Sequence, residues 1–306
     1  MKSFVACLLM SLLFASCELV KYHPYQDAEG CDTDLTQQNI DRIQQTLSCR
    51  DTLRIAFISD TQRRYDDTRE AVAWINDRSD IDLVLHGGDL TDFGATDEYV
   101  WMTEELTALN KPWLTVIGNH DFLGLGEENY RRIYGAYNYS LNVGHLHLLV
   151  LNTVSRDVDY SESVPDFSFI REDLLTVSNL NVQHPDSITH TIVMMHDRPG
   201  DEQFNNNEAI PFADYLHQFP GLTQNDPLLT DTLITRLSHT VSEDDRHEML
   251  GTRLNGFCLN GHTHSHQLLR PLSDSTLFYT VPSINKRELY VFTIFPIGYG
   301  FESHAF

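Results

Sequence analysis

Short apolar runs recur along the chain, and several of them end directly at a polar cluster. The first run covers 53–59, the second 83–86 and the third 112–117. Each has the length and apolar content of a buried strand. Between them, apolar positions at helical spacing predict helices over 67–77 and 96–109. This alternation of strand and helix predicts parallel crossover units and therefore an α/β fold.

The same pattern returns in the second half of the chain. Strands are predicted over 145–151, 189–195 and 257–260, with further strand-like runs at 276–281, 289–295 and 298–304. Residues 200–250 are more polar and predict an insertion that contains some helix near 229–239. Such insertions either set specificity at the rim of an active site or are neutral surface excursions, and the sequence favours neither interpretation.

Polar clusters follow the ends of the predicted strands. They are Asp60-Thr61-Gln62, Gly88-Asp89-Leu90-Thr91-Asp92, Gly118-Asn119-His120-Asp121, the single His196 and Gly261-His262-Thr263-His264. Because ligand sites of parallel sheets lie beyond the carboxyl ends of the strands, these side chains are expected to meet. Carboxylate, imidazole and amide ligands without thiolate suit Mn, Fe, Zn or Mg, and the set is large enough for two ions.

The order of these clusters resembles that of the calcineurin-like metallophosphoesterases, from about Arg54 to the C-terminus. The resemblance implies a four-layered α/β/β/α sandwich with two mixed β-sheets and two bound metal ions. It also implies hydrolysis of a phosphomonoester or phosphodiester by a hydroxide that both metals activate, without a covalent enzyme intermediate. A small-molecule phosphoester is the substrate class expected from this resemblance.

The resemblance also assigns a role to each site residue. Asp60 and His264 would bind the first metal. Asp89 would be the carboxylate that bridges both metals. The second metal would be bound by Asn119, His196 and His262. His120 would meet the substrate together with Asn119 or protonate the leaving oxygen, and Asp92 would orient the His120 imidazole. Arg198 is a further candidate for holding phosphate, with a surface salt bridge as the favoured interpretation.

Gln62 departs from the family pattern, in which a histidine is usual at this position. A glutamine carbonyl is a weaker ligand for Zn or Fe than an imidazole. One interpretation is that Gln62 or a water completes the first position weakly and activity is retained. In the second, the first position is empty or holds a hard ion such as Mg or Mn. The third is a degenerate single-metal binder of phosphate without hydrolytic activity. The otherwise intact set favours the first.

Two other positions distinguish this chain from branches of the family. Purple acid phosphatases carry a tyrosine where this chain has Asp92, so a purple ferric site is not expected. Residue 197 is an aspartate, whereas many relatives have a second histidine there. The resemblance gives Asp197 no role.

The N-terminal residues resemble an export signal. Lys2 precedes an apolar run over 4–15 that is too short to span a membrane. Small residues before Cys17 resemble a bacterial lipobox, with Phe14 in place of the usual leucine, and imply cleavage before Cys17 and lipidation of its thiol. Ordinary secretory cleavage is the alternative. The predicted organisation is a signal peptide over 1–16, an anchor and helix region over 17–50, and a catalytic domain over 51–306.

This organisation predicts an exported bacterial lipoprotein in the outer membrane, the periplasm or at the cell surface. The oxidising environment there would permit a disulfide between Cys31 and Cys49, which flank a predicted helix over 34–47. Two free thiols are the equally supported alternative. The sequence alone does not choose between them.

Net charge limits the partners of the chain. The formal charge is −23 at pH 7, which argues against sequence-independent binding of nucleic-acid phosphates, since that binding uses basic surfaces. A phosphate substrate would then need local positive charge. Bound metal ions are the expected source of that charge.

Overall fold

Two mixed β-sheets form the centre of the protein. The computed structural model describes residues 32–155, 163–222, 255–272 and 276–306. The first sheet contains β1 (Leu53–Ile58), β2 (Leu83–His86), β3 (Trp113–Thr115), β10 (Glu288–Ile294) and β11 (Tyr299–Ala305). The second contains β4 (Tyr139–Val143), β5 (Leu146–Val150), β6 (His190–Met194), β7 (Gly256–Asn260), β8 (Gln267–Leu269) and β9 (Phe278–Thr280).

In the first sheet the parallel strands lie at one edge and the antiparallel strands at the other, whereas in the second sheet the parallel strands lie in the middle. The strand orders are β11-β10-β1-β2-β3 and β4-β5-β6-β7-β9-β8. Strands β1, β2 and β3 run parallel, as do β5, β6, β7 and β9. The parallel crossover units predicted from the sequence are therefore confirmed.

Helices cover the outer faces of the sheets. They are α1 (Leu35–Leu47), α2 (Tyr65–Asn76), α3 (Thr96–Thr107), α4 (Gly126–Ile133), α5 (Phe167–Gln183) and α6 (Ala209–Leu216). Asp66 and Asp67 lie in the first turn of α2, where carboxylates interact favourably with the helix dipole. The predicted helices over 67–77 and 96–109 correspond to α2 and α3 with small shifts at their ends.

Side-chain alternation along the strands produces the layers. In β1, Ile55 and Phe57 pack into the core between the two sheets, whereas Ala56 and Ile58 pack against α2, α3 and α4. In β6, Val193 faces outwards against α5 and α6. Because alternate residues of a strand point to opposite faces, every central strand is buried on both sides. The result confirms the predicted four-layered α/β/β/α sandwich with two mixed sheets.

Helix α1 is part of the same folded unit as the sheets. Its buried residues Ile40, Ile43 and Leu47 join the core between the sheets, and Leu35 joins the core beneath α2 to α4. The predicted boundary between an anchor and helix region over 17–50 and a catalytic domain over 51–306 stays a prediction, because residues 17–31 lie outside the described part of the chain. Apolar residues at helical spacing along α1 bury against the sheets rather than serving as a linker.

The segment 200–222 is the described part of the predicted polar insertion over 200–250, and it packs on the second sheet. Phe204, Phe212 and Phe219 are buried, and together with α6 they pack on the outer face of the second sheet. This stretch therefore forms part of the outer helical layer. The helix predicted near 229–239 lies outside the described residues.

Several predictions about the N-terminus lie outside the described residues as well. These include the signal peptide, the lipidation of Cys17 and the position of Cys31. Cys49, just after α1, is exposed. Across the four described ranges, no helix is long and apolar enough to cross a membrane.

Candidate metal centre

The predicted polar clusters meet where five parallel strands end. Asp60 follows β1, Asp89 follows β2, and Asn119 and His120 lie in the loop after β3. From the second sheet, His196 follows β6, and His262 and His264 follow β7. Both sheets thus contribute side chains to one site at their carboxyl ends, as predicted for ligand sites of parallel sheets.

Four ligand atoms converge in the deeper part of this site. Asn119 Oδ1 lies 3.2 Å from His196 Nε2 and 3.0 Å from His262 Nδ1. Asp89 Oδ1 lies 3.3 Å from His196 Nε2. Atoms that share one ion at about 2.1 Å are themselves about 3.0–3.4 Å apart. These separations fit donors arranged around a common ion, and we call this part the deep position.

The ring of His196 is held so that one nitrogen faces the site. Its Nδ1 donates a hydrogen bond to the carbonyl oxygen of Gly87 at 2.7 Å, since a carbonyl can only accept. The other nitrogen, Nε2, is thereby directed at Asp89 and Asn119. A backbone carbonyl on the far nitrogen is the usual way in which proteins orient a histidine ligand.

The remaining predicted ligands are the buried Asp60, the partly buried Gln62 and the more exposed His264, and they form what we call the outer position. Asp60 Oδ1 is 3.3 Å from His264 Nε2, and the His264 side chain is 45% exposed. Gln62 Nε2 is 3.5 Å from Asp89 Oδ2. Asp89 Oδ1 thus lies at the deep position, whereas Asp89 Oδ2 lies beside Gln62 of the outer position. A carboxylate placed between the two positions could be shared by two ions.

The side chains present at this site are suited to binding a divalent ion. Ligand atoms of Asp60, Asp89 and His196 lie within 4.8 Å of one another, and so do those of His196, Asp197 and His262. Asp60 Oδ2 is buried and has no hydrogen-bond partner among the described residues. A buried carboxylate oxygen without a partner is costly, and an ion would remove that cost.

Asp197 was not predicted as a site residue. Its side chain is fully buried, and its Oδ1 lies 3.3 Å from His262 Nδ1. The sequence shows only that an aspartate follows His196 where relatives have a histidine. The aspartate in place of a histidine was the one feature of the sequence that singled out this position. It did not indicate that the carboxylate is buried in the site.

His120 is anchored through the backbone rather than through the predicted carboxylate. Its Nδ1 donates to the main-chain carbonyl of Asp92 at 2.7 Å, while the Asp92 carboxylate is 3.7 Å away. The His120 amide donates to Asp89 Oδ1 at 3.0 Å. The ring is 35% exposed, so Nε2 is the nitrogen available to a substrate.

Asp121 connects the loops that carry Asp89 and His120. Its buried carboxylate accepts the amides of Leu90, Thr91 and Gly118 and the hydroxyl of Thr91. Burial, together with the nearby charge of Asp89, raises the pKa of Asp121 to about 7. The sequence motif contains Asp121 but gave it no role. In the structure it fixes the spacing between the two loops.

His86 makes a similar connection behind the site. Its Nδ1 accepts the Gly88 amide at 3.2 Å, so Nε2 carries the proton and donates to Thr61 Oγ1 at 3.0 Å. Burial lowers the pKa of His86 to about 4. A neutral imidazole thus joins the loop after β1 to the loop after β2.

The backbone turns sharply at the ligands. Five site residues have left-handed φ angles, namely Asp60 (52°), Gln62 (42°), Asp89 (55°), His262 (70°) and His264 (55°). Such conformations are unfavourable for residues other than glycine by about 1–3 kcal/mol each and concentrate at functional sites. Here they turn the side chains back towards one another directly after the strands end.

Gly118 is required by close approach rather than by its φ angle. A Cβ at this position would lie 2.2 Å from Asp89 Oδ1 and 2.3 Å from the Asp89 amide nitrogen. No side chain fits there without displacing the shared carboxylate. The glycine of the Gly-Asn-His-Asp motif thus keeps the loop after β3 against Asp89.

Opposite charges determine the pKa values of the side chains in this cluster. Burial lowers the pKa of His196, but the carboxylates of Asp89, Asp197 and Asp60 outweigh it and hold that pKa well above its usual range. Burial raises the pKa of Asp89, but the His196 charge outweighs it and leaves that pKa lowered. Burial holds the pKa of Asp197 well above its usual range. A divalent ion would displace protons from this cluster on binding.

Arg198 is committed to an ion pair. Its Nη2 lies 3.1 Å from Asp201 Oδ1 and donates to Gln267 Oε1 at 2.7 Å. The favoured prediction of a salt bridge is therefore correct, but the pair is buried rather than on the surface. These contacts use Nη2 alone, and the buried Nε of Arg198 has no hydrogen-bond partner among the described residues, so its role in holding phosphate stays a prediction.

Comparisons with known proteins agree with this fold. A sequence model of the family described as "Calcineurin-like phosphoesterase" matches residues 53–266. The chain is 24% identical over 132 residues to "Probable cyclic nucleotide phosphodiesterase" of Xenorhabdus bovienii, a match that covers 41% of this chain and 53% of that protein. It is 31% identical over 88 residues to "Probable glycerophosphodiester phosphodiesterase GpdQ" of Arcobacter nitrofigilis, covering 29% of this chain and 31% of that protein.

These sequence matches span about half of the first relative and a third of the second. Among solved structures, "GAP50 the anchor in the inner membrane complex of Plasmodium" superposes with a TM-score of 0.52 at 11% identity. That superposition covers 84% of this chain and 85% of the other. At this identity it shows a shared fold alone.

Proposed function

The chain belongs to the calcineurin-like phosphoesterase family, and from that premise we propose that it is a metal-dependent hydrolase of phosphoester bonds. The observation that carries the proposal is the pair of overlapping ligand groups at the strand ends, which share His196. The names of both matched relatives describe phosphodiesterases, which supports a phosphodiester as the substrate class.

We assign the ligands of two ions as follows. The outer position would use Asp60, His264 and, weakly, Gln62; the deep position would use Asn119, His196 and His262; and Asp89 would be shared by both. Two such ions supply Lewis-acid charge to the phosphoryl oxygens and lower the pKa of water. Manganese, iron, zinc and magnesium are all compatible with these donors.

The protein's own contribution at the reacting bond would come from His120. Its Nδ1 donates to the Asp92 carbonyl, which orients the ring, and Nε2 is the nitrogen left available to a substrate. A histidine placed in this way can hold a proton and deliver it to the leaving oxygen. Asn119, at the deep position, would also contact the phosphoryl group.

Reconstitution with metal tests the proposal. The purified chain is stripped with chelator, reloaded with Mn²⁺, Zn²⁺ or Mg²⁺, and assayed on bis(p-nitrophenyl) phosphate and p-nitrophenyl phosphate, with elemental analysis of the same samples. Hydrolysis should disappear on stripping and return with at least one ion. One tightly bound ion per chain without hydrolysis of either ester would favour the degenerate phosphate binder and overturn the proposal.

We also propose that the chain is exported and anchored by lipid on Cys17. The support is the basic residue, the short apolar run and the small residues before Cys17. Mass spectrometry of the mature protein from a bacterial host should find Cys17 at the N-terminus with a diacylglyceryl group. A mature chain that begins elsewhere and lacks lipid would contradict the proposal, and Cys17→Ala is the matched control.

A further inference from the structure

A third buried carboxylate faces the deep position. Asp197 follows His196 directly, and no part of its side chain is exposed. Neither Oδ1 nor Oδ2 has a hydrogen-bond partner within the described part of the chain. A buried carboxylate whose two oxygens both lack a hydrogen-bond partner is unfavourable away from water, and a metal ion bound to it would remove that cost.

We propose that Asp197 is a direct ligand of the ion in the deep position, beside His196 and His262. This inference rests on the proposed function, because it concerns the same ions. Ligand atoms of the three residues lie within 4.8 Å of one another. Asp197 Oδ1 is 3.3 Å from His262 Nδ1, which is itself 3.0 Å from Asn119 Oδ1. Oxygen and nitrogen donors therefore surround one point from several sides.

A plain structural ion pair explains Asp197 less well. The short distance to His262 Nδ1 does not have hydrogen-bond geometry, because Asp197 Oδ1 remains without a donor. The neighbouring Arg198 does not serve either, because its Nη2 contacts Asp201 and Gln267 and the Asp197 oxygens accept no hydrogen bond from it. The same nitrogen of His262 faces both Asn119 and Asp197, as expected where all three bind one ion.

The carboxylate would change the charge of the centre. Two divalent ions carry four positive charges, and Asp60, Asp89 and Asp197 together offset three of them. A neutral histidine at position 197 would leave one more positive charge. Because carboxylate oxygen is a harder donor than imidazole nitrogen, Asp197 should favour Mn²⁺ or Mg²⁺ over Zn²⁺ relative to a histidine variant.

The test uses chelator-stripped protein and three variants. Asp197→Asn removes the charge at constant shape, Asp197→His restores the family's usual residue, and Asp173→Asn is the matched control. Asp173 is also buried, but it pairs with His147 on the far side of the second sheet. Ion number and affinity for Mn²⁺ and Zn²⁺ are measured by isothermal titration calorimetry, and the Mn²⁺-loaded wild type is crystallised.

We expect an Asp197 oxygen about 2.1–2.4 Å from the deep ion in the loaded crystal structure. Asp197→Asn should bind that ion at least about tenfold more weakly, Asp173→Asn should bind it like the wild type, and Asp197→His should gain relative affinity for Zn²⁺. The crystal structure of the loaded wild type shows whether Asp197 binds the ion even if a variant fails to fold.

The inference is overturned if the ion binds His196 and His262 while both Asp197 oxygens lie more than about 3 Å from it, too far for direct coordination. Asp197→Asn binding both ions as tightly as the wild type would also overturn it. The proposed function fails on a different result, namely loaded ions without hydrolysis of any ester. A chain that binds no ion at all would remove both proposals.

Discussion

The main-chain carbonyl of Asp92 accepts a hydrogen bond from His120 Nδ1 at 2.7 Å, while the Asp92 carboxylate lies 3.7 Å from the same nitrogen. The orientation of the imidazole therefore depends on the course of the backbone. The Asp92 and Phe93 amides in turn both donate to Glu98 Oε2, which fixes this turn to α3. The side chain of Asp92 contributes charge near the ring but does not hold it.

This arrangement separates the effects of two substitutions. His120→Ala removes the proton donor and should slow hydrolysis by about 10²–10⁴-fold, with ion content unchanged. Asp92→Asn keeps the carbonyl that holds the ring and should cost less than about tenfold, since only a screened charge is lost. Steady-state rates on bis(p-nitrophenyl) phosphate measure both. Equal losses in the two variants would show that the carboxylate, and not the carbonyl, orients His120.

Gln62 should limit affinity at the outer position only. Gln62→His restores an imidazole beside Asp89 and should tighten binding of the more weakly held Zn²⁺ by at least about tenfold, because imidazole is the stronger ligand. Gln62→Ala is the control and should leave the tighter ion unchanged. Calorimetric titration of stripped protein measures both affinities. If Gln62→His weakens the tighter ion instead, the assignment of Gln62 to the outer position is wrong.

Gly118→Ala should damage the site through a steric clash. The added Cβ would lie 2.2 Å from Asp89 Oδ1, so the shared carboxylate must move, and ion content and turnover should both fall. Gly135→Ala is the control, because it introduces backbone strain at φ 103° but meets nothing closer than 3.5 Å. That variant should lose some thermal stability and keep its ions. Full ion content in Gly118→Ala would contradict this account of the motif.

The buried neutral His86 should make stability depend on pH. Its pKa is lowered to about 4 in the folded state, so protons bind the unfolded chain preferentially as the pH falls from 6.5 to 4. Above pH 6.5 the titration of His86 should leave the free energy of unfolding unchanged. By pH 4 it should lower the free energy of unfolding by about 3 kcal/mol. His86→Asn keeps an acceptor for the Gly88 amide and removes the titration. Urea unfolding of both proteins in the presence of chelator measures the effect. The free energy of unfolding should fall more for the wild type than for His86→Asn as the pH is lowered. An equal fall in the two proteins would contradict this prediction.

Much of the fold follows from local patterns in the sequence. An apolar run that ends at Asp60 or Asp89 identifies both a buried strand and the edge at which its polar residues collect. Helical spacing likewise identifies α2 and α3 to within a few residues. These features depend on side chains near one another along the chain, so the sequence alone is sufficient to predict them.

Features that depend on distant contacts were not predictable in the same way. Helix α1 and the phenylalanines 204, 212 and 219 look like parts of an anchor region and of a polar insertion until the sheets on which they pack are known. Asp197 looks like a departure from a family pattern until its carboxylate is seen buried beside His262. In each case the decisive fact is burial against residues far away in the sequence.

The most direct test of the central claim combines turnover and ion counting for the wild type and Asp89→Asn. Asp89 offers one oxygen to each position, so its loss should release at least one ion and reduce hydrolysis of bis(p-nitrophenyl) phosphate by at least about 10³-fold. The Asp173→Asn control should keep both. Wild-type turnover in an Asp89→Asn protein would contradict the assignment of this cluster as a catalytic metal centre.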